Sequence, residues 1–186
     1  MTFTIRATIL AACGLAIGLL ASTAHAGDDV GVVVDATMIK PLGEEGRVSN
    51  SLGYGAEIRM MPHRECFTAS IGGFFGLGQP EGRKTMRDIY DFHFNIGLKT
   101  ERSRDSHLIP FVSIGLNVLY MTTHEVDGRK LRGTTLGLNA RAGLMGHLTE
   151  HWIYRVSGSY LGAIVPGTGD DLGGLVLQAG IGKMFD

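Results

Sequence analysis

Between residues 90 and 99, Tyr90, Phe92, Phe94, Ile96 and Leu98 alternate without a break with Asp91, His93, Asn95, Gly97 and Lys99. Successive side chains of a strand point to opposite faces, whereas a helix returns to the same face every three or four residues, so this segment is a strand with one apolar face. Residues 112–120 repeat the pattern, with Val112, Ile114, Leu116, Val118 and Tyr120 set against Ser113, Gly115, Asn117 and Leu119, a face that is again mostly small or polar. So do residues 134–145, where Leu136, Leu138, Ala140, Ala142 and Leu144 oppose Gly137, Asn139, Arg141 and Gly143. Turn signals bound eight such segments, at about 30–39, 52–61, 67–77, 89–99, 109–121, 134–146, 151–163 and 173–185. Their connections alternate in kind. Residues 40–51, 78–88, 122–133 and 164–172 form a longer set, and 62–66, 100–108 and 147–150 a mostly tight one. An even number of amphipathic strands joined this way predicts one all-β domain, an eight-stranded antiparallel up-and-down barrel.

Parity alone does not say which face is inside. A soluble barrel wets its polar face with many Lys and Glu, but here that face is mostly Gly, Ser, Thr and Asn. Beyond the amino-terminal leader only eight charges fall inside the predicted strands: Asp35, Glu57, Arg59, Asp91, Lys99, Arg141, Arg155 and Lys183. All but Lys183 have polar-face parity. Tyr54, Tyr90, Tyr120, Trp152, Tyr154 and Tyr160 share the apolar parity and lie near strand ends, where a transmembrane barrel carries its interfacial aromatic girdle. The pattern therefore predicts a transmembrane β-barrel with its apolar face toward lipid.

The inward face then holds Asp35, Glu57 and Asp91 with Arg59, Arg141 and Arg155, and His93 beside Asp91. Buried charges are costly unless paired, so these residues are expected to form a lumen charge network that fixes register and stability. The competing readings are a gated polar path for ions and catalysis by the carboxylates, and nothing in the sequence marks a substrate cleft. Inward glycines such as Gly55, Gly72, Gly97, Gly115, Gly137, Gly143, Gly180 and Gly182 fit a narrow bore. The lumen is thus expected to hold balanced charges and glycine rather than bulky apolar plugs. Eight strands leave room only for packed side chains, so no steady conductance is expected.

Composition narrows the classes further. The 186 residues include 28 Gly, an excess that disfavours helices, and the net charge is -1. With no basic face there is no footprint for nucleic acid. Arg6 precedes an apolar run at 9–21 that ends in Ser22-Thr-Ala-His-Ala26, which reads as a secretory signal removed after residue 26, leaving a barrel domain of 27–186. Leu10-Ala-Ala-Cys13 also fits a lipobox, but cleavage there would leave apolar residues 14–20 on the mature chain. Loss of Cys13 leaves Cys66 without an internal disulfide partner. His63, Cys66, His107, His147 and His151 fall in or beside the tight turns without a recognised ligand motif, so neither a metal nor any other cofactor is expected. Residues 101–105 and Arg129-Lys-Leu-Arg132 read as solvated loop charges.

The signal segment, the eight amphipathic strands and the hairpin Gly143-Leu-Met-Gly-His-Leu-Thr-Glu-His-Trp152 resemble the OmpA/OmpX-type eight-stranded outer-membrane barrels of Gram-negative bacteria. That resemblance implies residence in the outer membrane with both termini periplasmic. It also implies contact with outer-membrane lipid and lipopolysaccharide, for which Arg129 to Arg132 are placed, and insertion by the barrel-assembly machinery. Leu175-Val-Leu-Gln-Ala-Gly-Ile-Gly-Lys-Met-Phe185 is similar to the assembly signal of such barrels, with Phe185 as its aromatic residue, although Asp186 follows. The implied role is non-enzymatic: structural, envelope-maintaining or surface-interacting. The alternatives are a narrow channel for ions or small solutes and a lipid A-modifying enzyme. Lipid A deacylases carry His-x-Ser and a later Glu near the ends of their last strands. Here Arg155-Val-Ser-Gly-Ser-Tyr160 has no His, and the last strand has no Glu. The palmitoyltransferases begin with an amphipathic helix, where residues 30–39 read as a strand.

Overall fold

A computed structural model describes residues 30–42, 47–62, 66–82, 84–100, 108–163 and 173–185. The proposed signal segment, His63, His107, residues 101–105 and the connection 164–172 lie outside the described residues. Eight strands follow in order: β1 Val30–Pro41, β2 Ser51–Met60, β3 Phe67–Gly78, β4 Met86–Lys99, β5 Ile109–His124, β6 Lys130–His147, β7 Trp152–Ala163 and β8 Gly174–Phe185. Each pairs antiparallel with its sequence neighbour, and β1 closes on β8 from Val30↔Phe185 to Pro41↔Gly174. Closure gives every strand two partners and leaves no sheet edge along the wall.

The strands alternate with few departures, such as buried Ile58 on the outward face of β2, and burial follows in the inverse of the usual sense. Polar positions face inward and are buried, while Val34, Leu98, Ile114, Leu116, Leu136 and Val156 face outward and are exposed, Ile114 to 66%. Across β2, β3, β4 and β5 the outward residues Tyr54, Phe75, Tyr90 and Tyr120 are direct cross-strand partners and form one continuous aromatic row. Their ring centroids lie 4.2, 6.3 and 5.9 Å apart in turn. Such pairs add to sheet stability beyond their buried area.

One predicted connection is shorter than the sequence pattern suggests. β5 and β6 stay paired as far as His124↔Lys130, so the hairpin narrows to residues 125–129. Glu125 N–H donates to the Arg129 carbonyl at 2.9 Å, and Gly128 N–H donates to that of Glu125 at 3.0 Å. Gly128 takes a φ of 87°, which the Asp127-Gly128 pair supplies without strain. Lys130, Leu131 and Arg132 are therefore strand residues and not loop residues. Longer strands also take in Lys40, Arg87 and Asp88 at the loop end, so mid-strand charges face the lumen and the outward face carries charge only toward the strand ends. There the β1–β2 and β3–β4 connections are tied together by Ser49 N–H to the Thr85 carbonyl and Thr85 N–H to the Arg47 carbonyl, at 3.0 and 2.8 Å.

Candidate functional site in the barrel lumen

Inward parity on β1, β2, β4, β6 and β7 delivers Asp35, Glu57, Arg59, Asp91, His93, Arg141 and Arg155 to one level of the bore, all of them buried. Two inward glycines make the space. Gly72 is the cross-strand partner of both Glu57 and His93, and a Cβ there would lie 2.5 Å from the Ala56 carbonyl oxygen and 2.9 Å from Glu57 Cβ. Gly180 sits beside Asp35, and its Cβ would come within 2.5 Å of Asp35 Oδ1.

Glu57 is the hub. Its Oε1 accepts from Arg59, Nε at 2.9 Å and Nη2 at 2.7 Å, and from Arg155 Nη1. Its Oε2 accepts from Arg141 Nη1 and lies 3.1 Å from His93 Nε2. Arg155 reaches onward to Asp35, with Nε donating at 3.2 Å and Nη2 forming a second bond. On the other side His93 Nδ1 bonds Asp91, whose second oxygen accepts from Asn117 Nδ2 at 2.8 Å. The seven residues form one connected set in which three carboxylates balance three guanidiniums. That balance makes so much buried charge tolerable.

Asn117 joins the set although the sequence singled out only the charged residues and His93. Its inward parity on β5 was the available signal. The larger difference concerns the ends of the bore. Val33, Met61, Ile109, Phe111, Met145, Ile153 and Met184 form a buried apolar layer at the short-turn end. At the loop end Ile39, Phe74, Ile89, Leu119, Met121, Leu161 and Val176 form a second. The expectation of a lumen without bulky apolar plugs is therefore corrected. Near the strand ends most inward residues are apolar and fill the bore with volume, with buried Arg87 at the loop end and buried Lys99 at the short-turn end as the exceptions. Arg59 joins the layers, its Cζ 4.3 Å from the Phe111 ring centroid and its Nη1 3.3 Å from Met145 Sδ.

The outward aromatics fall at both ends of the wall. Tyr54, Tyr90, Tyr120 and Tyr160 lie toward the longer connections, and Trp152 and Tyr154 toward the short turns and the chain termini. Phe185 is outward on β8, 5.5 Å from Lys183 Nζ. Cys66 is exposed and free, and among the described residues no group of three or more His, Cys, Asp and Glu is placed to hold a metal ion.

No family profile and no curated protein sequence matches the chain. Its fold is that of small eight-stranded outer-membrane barrels. It is similar to Neisserial surface protein A, with a TM-score of 0.61 at 13% identity over 86% of this chain and 98% of that one. It is similar to the outer membrane protein OprG of Pseudomonas aeruginosa, with a TM-score of 0.59 at 15% identity over 86% and 96% of the two chains. It is also similar to Ail, the attachment invasion locus protein of Yersinia pestis, in complex with the heparin analogue sucrose octasulfate, with a TM-score of 0.56 at 14% identity over 85% and 97%.

Proposed function

We propose that the protein is a non-enzymatic barrel of the Gram-negative outer membrane, closed to steady conduction, with a structural, envelope-maintaining or surface-interaction role. The observation that carries this reading is the inverted packing: a wall with an apolar outer face, enclosing a polar layer flanked by a cluster of buried apolar side chains toward each end. In water such a wall would be an exposed apolar surface far larger than the few hundred Å² that soluble monomers carry. In hydrocarbon it matches its solvent, and closure satisfies the backbone.

In this reading residues 1–26 are a cleaved signal, and the short-turn end with both termini is periplasmic. The loop-end tyrosines and the pair Trp152 and Tyr154 are the two halves of an aromatic girdle, and Phe185 is the assembly signal read by the barrel-assembly machinery. Lys130 and Arg132 stand on β6 with outward parity just beyond Tyr120 and are exposed. Their position favours contact with the phosphates of lipopolysaccharide. Binding of a sulfated polyanion by Ail adds weight to a surface role of that kind.

Expression with the native amino terminus, followed by membrane fractionation and gel migration with and without heating, tests the reading. The expected result is recovery in the outer-membrane fraction with heat-modifiable migration. Recovery as a soluble periplasmic protein without a heat-dependent shift would overturn it.

A further inference from the structure

His93 faces the lumen with its two ring nitrogens beside partners that call for different proton positions. Nδ1 lies against Asp91 Oδ2, which as a carboxylate only accepts, so Nδ1 carries a proton. Nε2 lies 3.1 Å from Glu57 Oε2, which only accepts, and 3.2 Å from Arg141 Nη2, which only donates. A neutral ring protonated at Nδ1 can accept from Arg141 and has nothing to give Glu57. An imidazolium can donate to Glu57 and has no lone pair left for Arg141. One nitrogen therefore cannot serve both neighbours at once.

The groups around the ring come from five strands. Asp91 shares β4, Glu57 faces it from β2, and Arg141 faces it from β6. Asn117 on β5 is uncharged and donates to Asp91, and Phe74 on β3 places its ring centroid 6.3 Å away. Arg59 and Arg155 act on His93 through the carboxylate of Glu57 that they share. With a neutral ring, three carboxylates face three guanidiniums. An imidazolium adds a positive charge set between two carboxylates and directly against Arg141.

We propose that His93 is a proton-operated switch inside the closed lumen, whose Nε2 exchanges Arg141 for Glu57 as partner when the ring takes up a proton from the medium. The only covalent change is one N–H bond formed at Nε2 from a solvent proton. The structural consequence is that acid releases the Arg141–His93 contact between β6 and β4 and tightens the His93–Glu57 contact between β4 and β2. The proposal stands on the lumen geometry and holds whichever membrane contains the barrel.

Ring ¹⁵N spectra of the purified barrel in phospholipid bilayers, recorded from pH 4 to pH 9 with His93 assigned through His93→Gln, test it. The expected result is a ring protonated only at Nδ1 at high pH and at both nitrogens at low pH. Arg141→Gln removes the guanidinium that donates to the neutral ring and Glu57→Gln removes the carboxylate that accepts from the charged one, so the first should change the Nε2 signal at high pH and the second at low pH. A ring locked in one protonation state across the range would overturn the proposal, as would an Nε2 signal that neither variant changes. Should either variant fail to fold, the wild-type titration decides, because a purely structural histidine held in one state shows no change at Nε2.

Discussion

The middle of the lumen and its two ends are built from the same alternating strands and held together in opposite ways. At mid-height Glu57 serves three arginines, and Asp35 and Asp91 complete the balance, so each partner is specified by charge and geometry. At the ends Phe111, Ile153, Leu119 and Leu161 contribute bulk, and what matters is how well the bore is filled. The comparison teaches that alternation fixes the direction of a side chain and not its chemistry. It also implies two kinds of mutational sensitivity. A paired charge is intolerant even of a similar cation, whereas a packed aliphatic residue accepts another of equal volume.

The largest expected effect belongs to Arg155. Arg155→Ala strips Asp35 of both bonds from this guanidinium and removes one of the three arginines on Glu57, leaving buried negative charge uncompensated. Loss of one partner of a buried pair costs about 3–5 kcal/mol, read as a lower urea midpoint for unfolding from lipid vesicles. Arg155→Lys should recover little, because an ammonium cannot reproduce the two-sided fork. Full recovery with Lys would break the distinction between the layers.

Ile153 supplies the matching test in the short-turn layer. Ile153→Ala should cost about 2–5 kcal/mol by the same urea measurement, through lost transfer energy and the cavity left behind. Ile153→Leu should cost less than about 1.5 kcal/mol, since volume is conserved. A leucine variant as damaging as the alanine one would mean that the ends, too, depend on specific shape.

The smallest effect is expected on the outside. Lys130→Ala removes an exposed cation that has no ion-pair partner among the described residues, and should change stability by no more than about 0.5 kcal/mol. The same variant should weaken retention on lipopolysaccharide-containing vesicles relative to vesicles of neutral phospholipid. Equal retention on both would remove the lipid-contact role assigned to the β6 rim.

The barrel itself was legible in the sequence, because period-two alternation is clear in β4, β5 and β6 and turn residues punctuate the chain. The inward charges were legible for the same reason: Glu57, Asp91 and Arg141 interrupt otherwise small or polar positions with unambiguous parity. The plugs were not. At Ile109-Pro-Phe111 or Leu119-Tyr-Met121, lipid and lumen both favour apolar side chains, so the contrast on which alternation depends disappears. Phe75 was missed beside Phe74 because two consecutive aromatics carry no parity until the register with Tyr54 and Tyr90 is known. The extended β5–β6 hairpin was read as a long connection because its charged residues look like loop, although Asp127-Gly128 marks the turn. The pairing inside the lumen depends on which nonadjacent strands face each other across the bore, and alternation along one strand does not encode that.

The central claim is that two apolar layers close the bore around a paired polar middle. Planar-bilayer recording of the purified barrel at neutral pH tests it most directly. The account predicts a silent bilayer, since a hydrated ion would have to cross the layer of Phe111, Met145 and Ile153 and then that of Leu119, Met121 and Leu161. Reproducible unitary currents from the wild-type protein would contradict it.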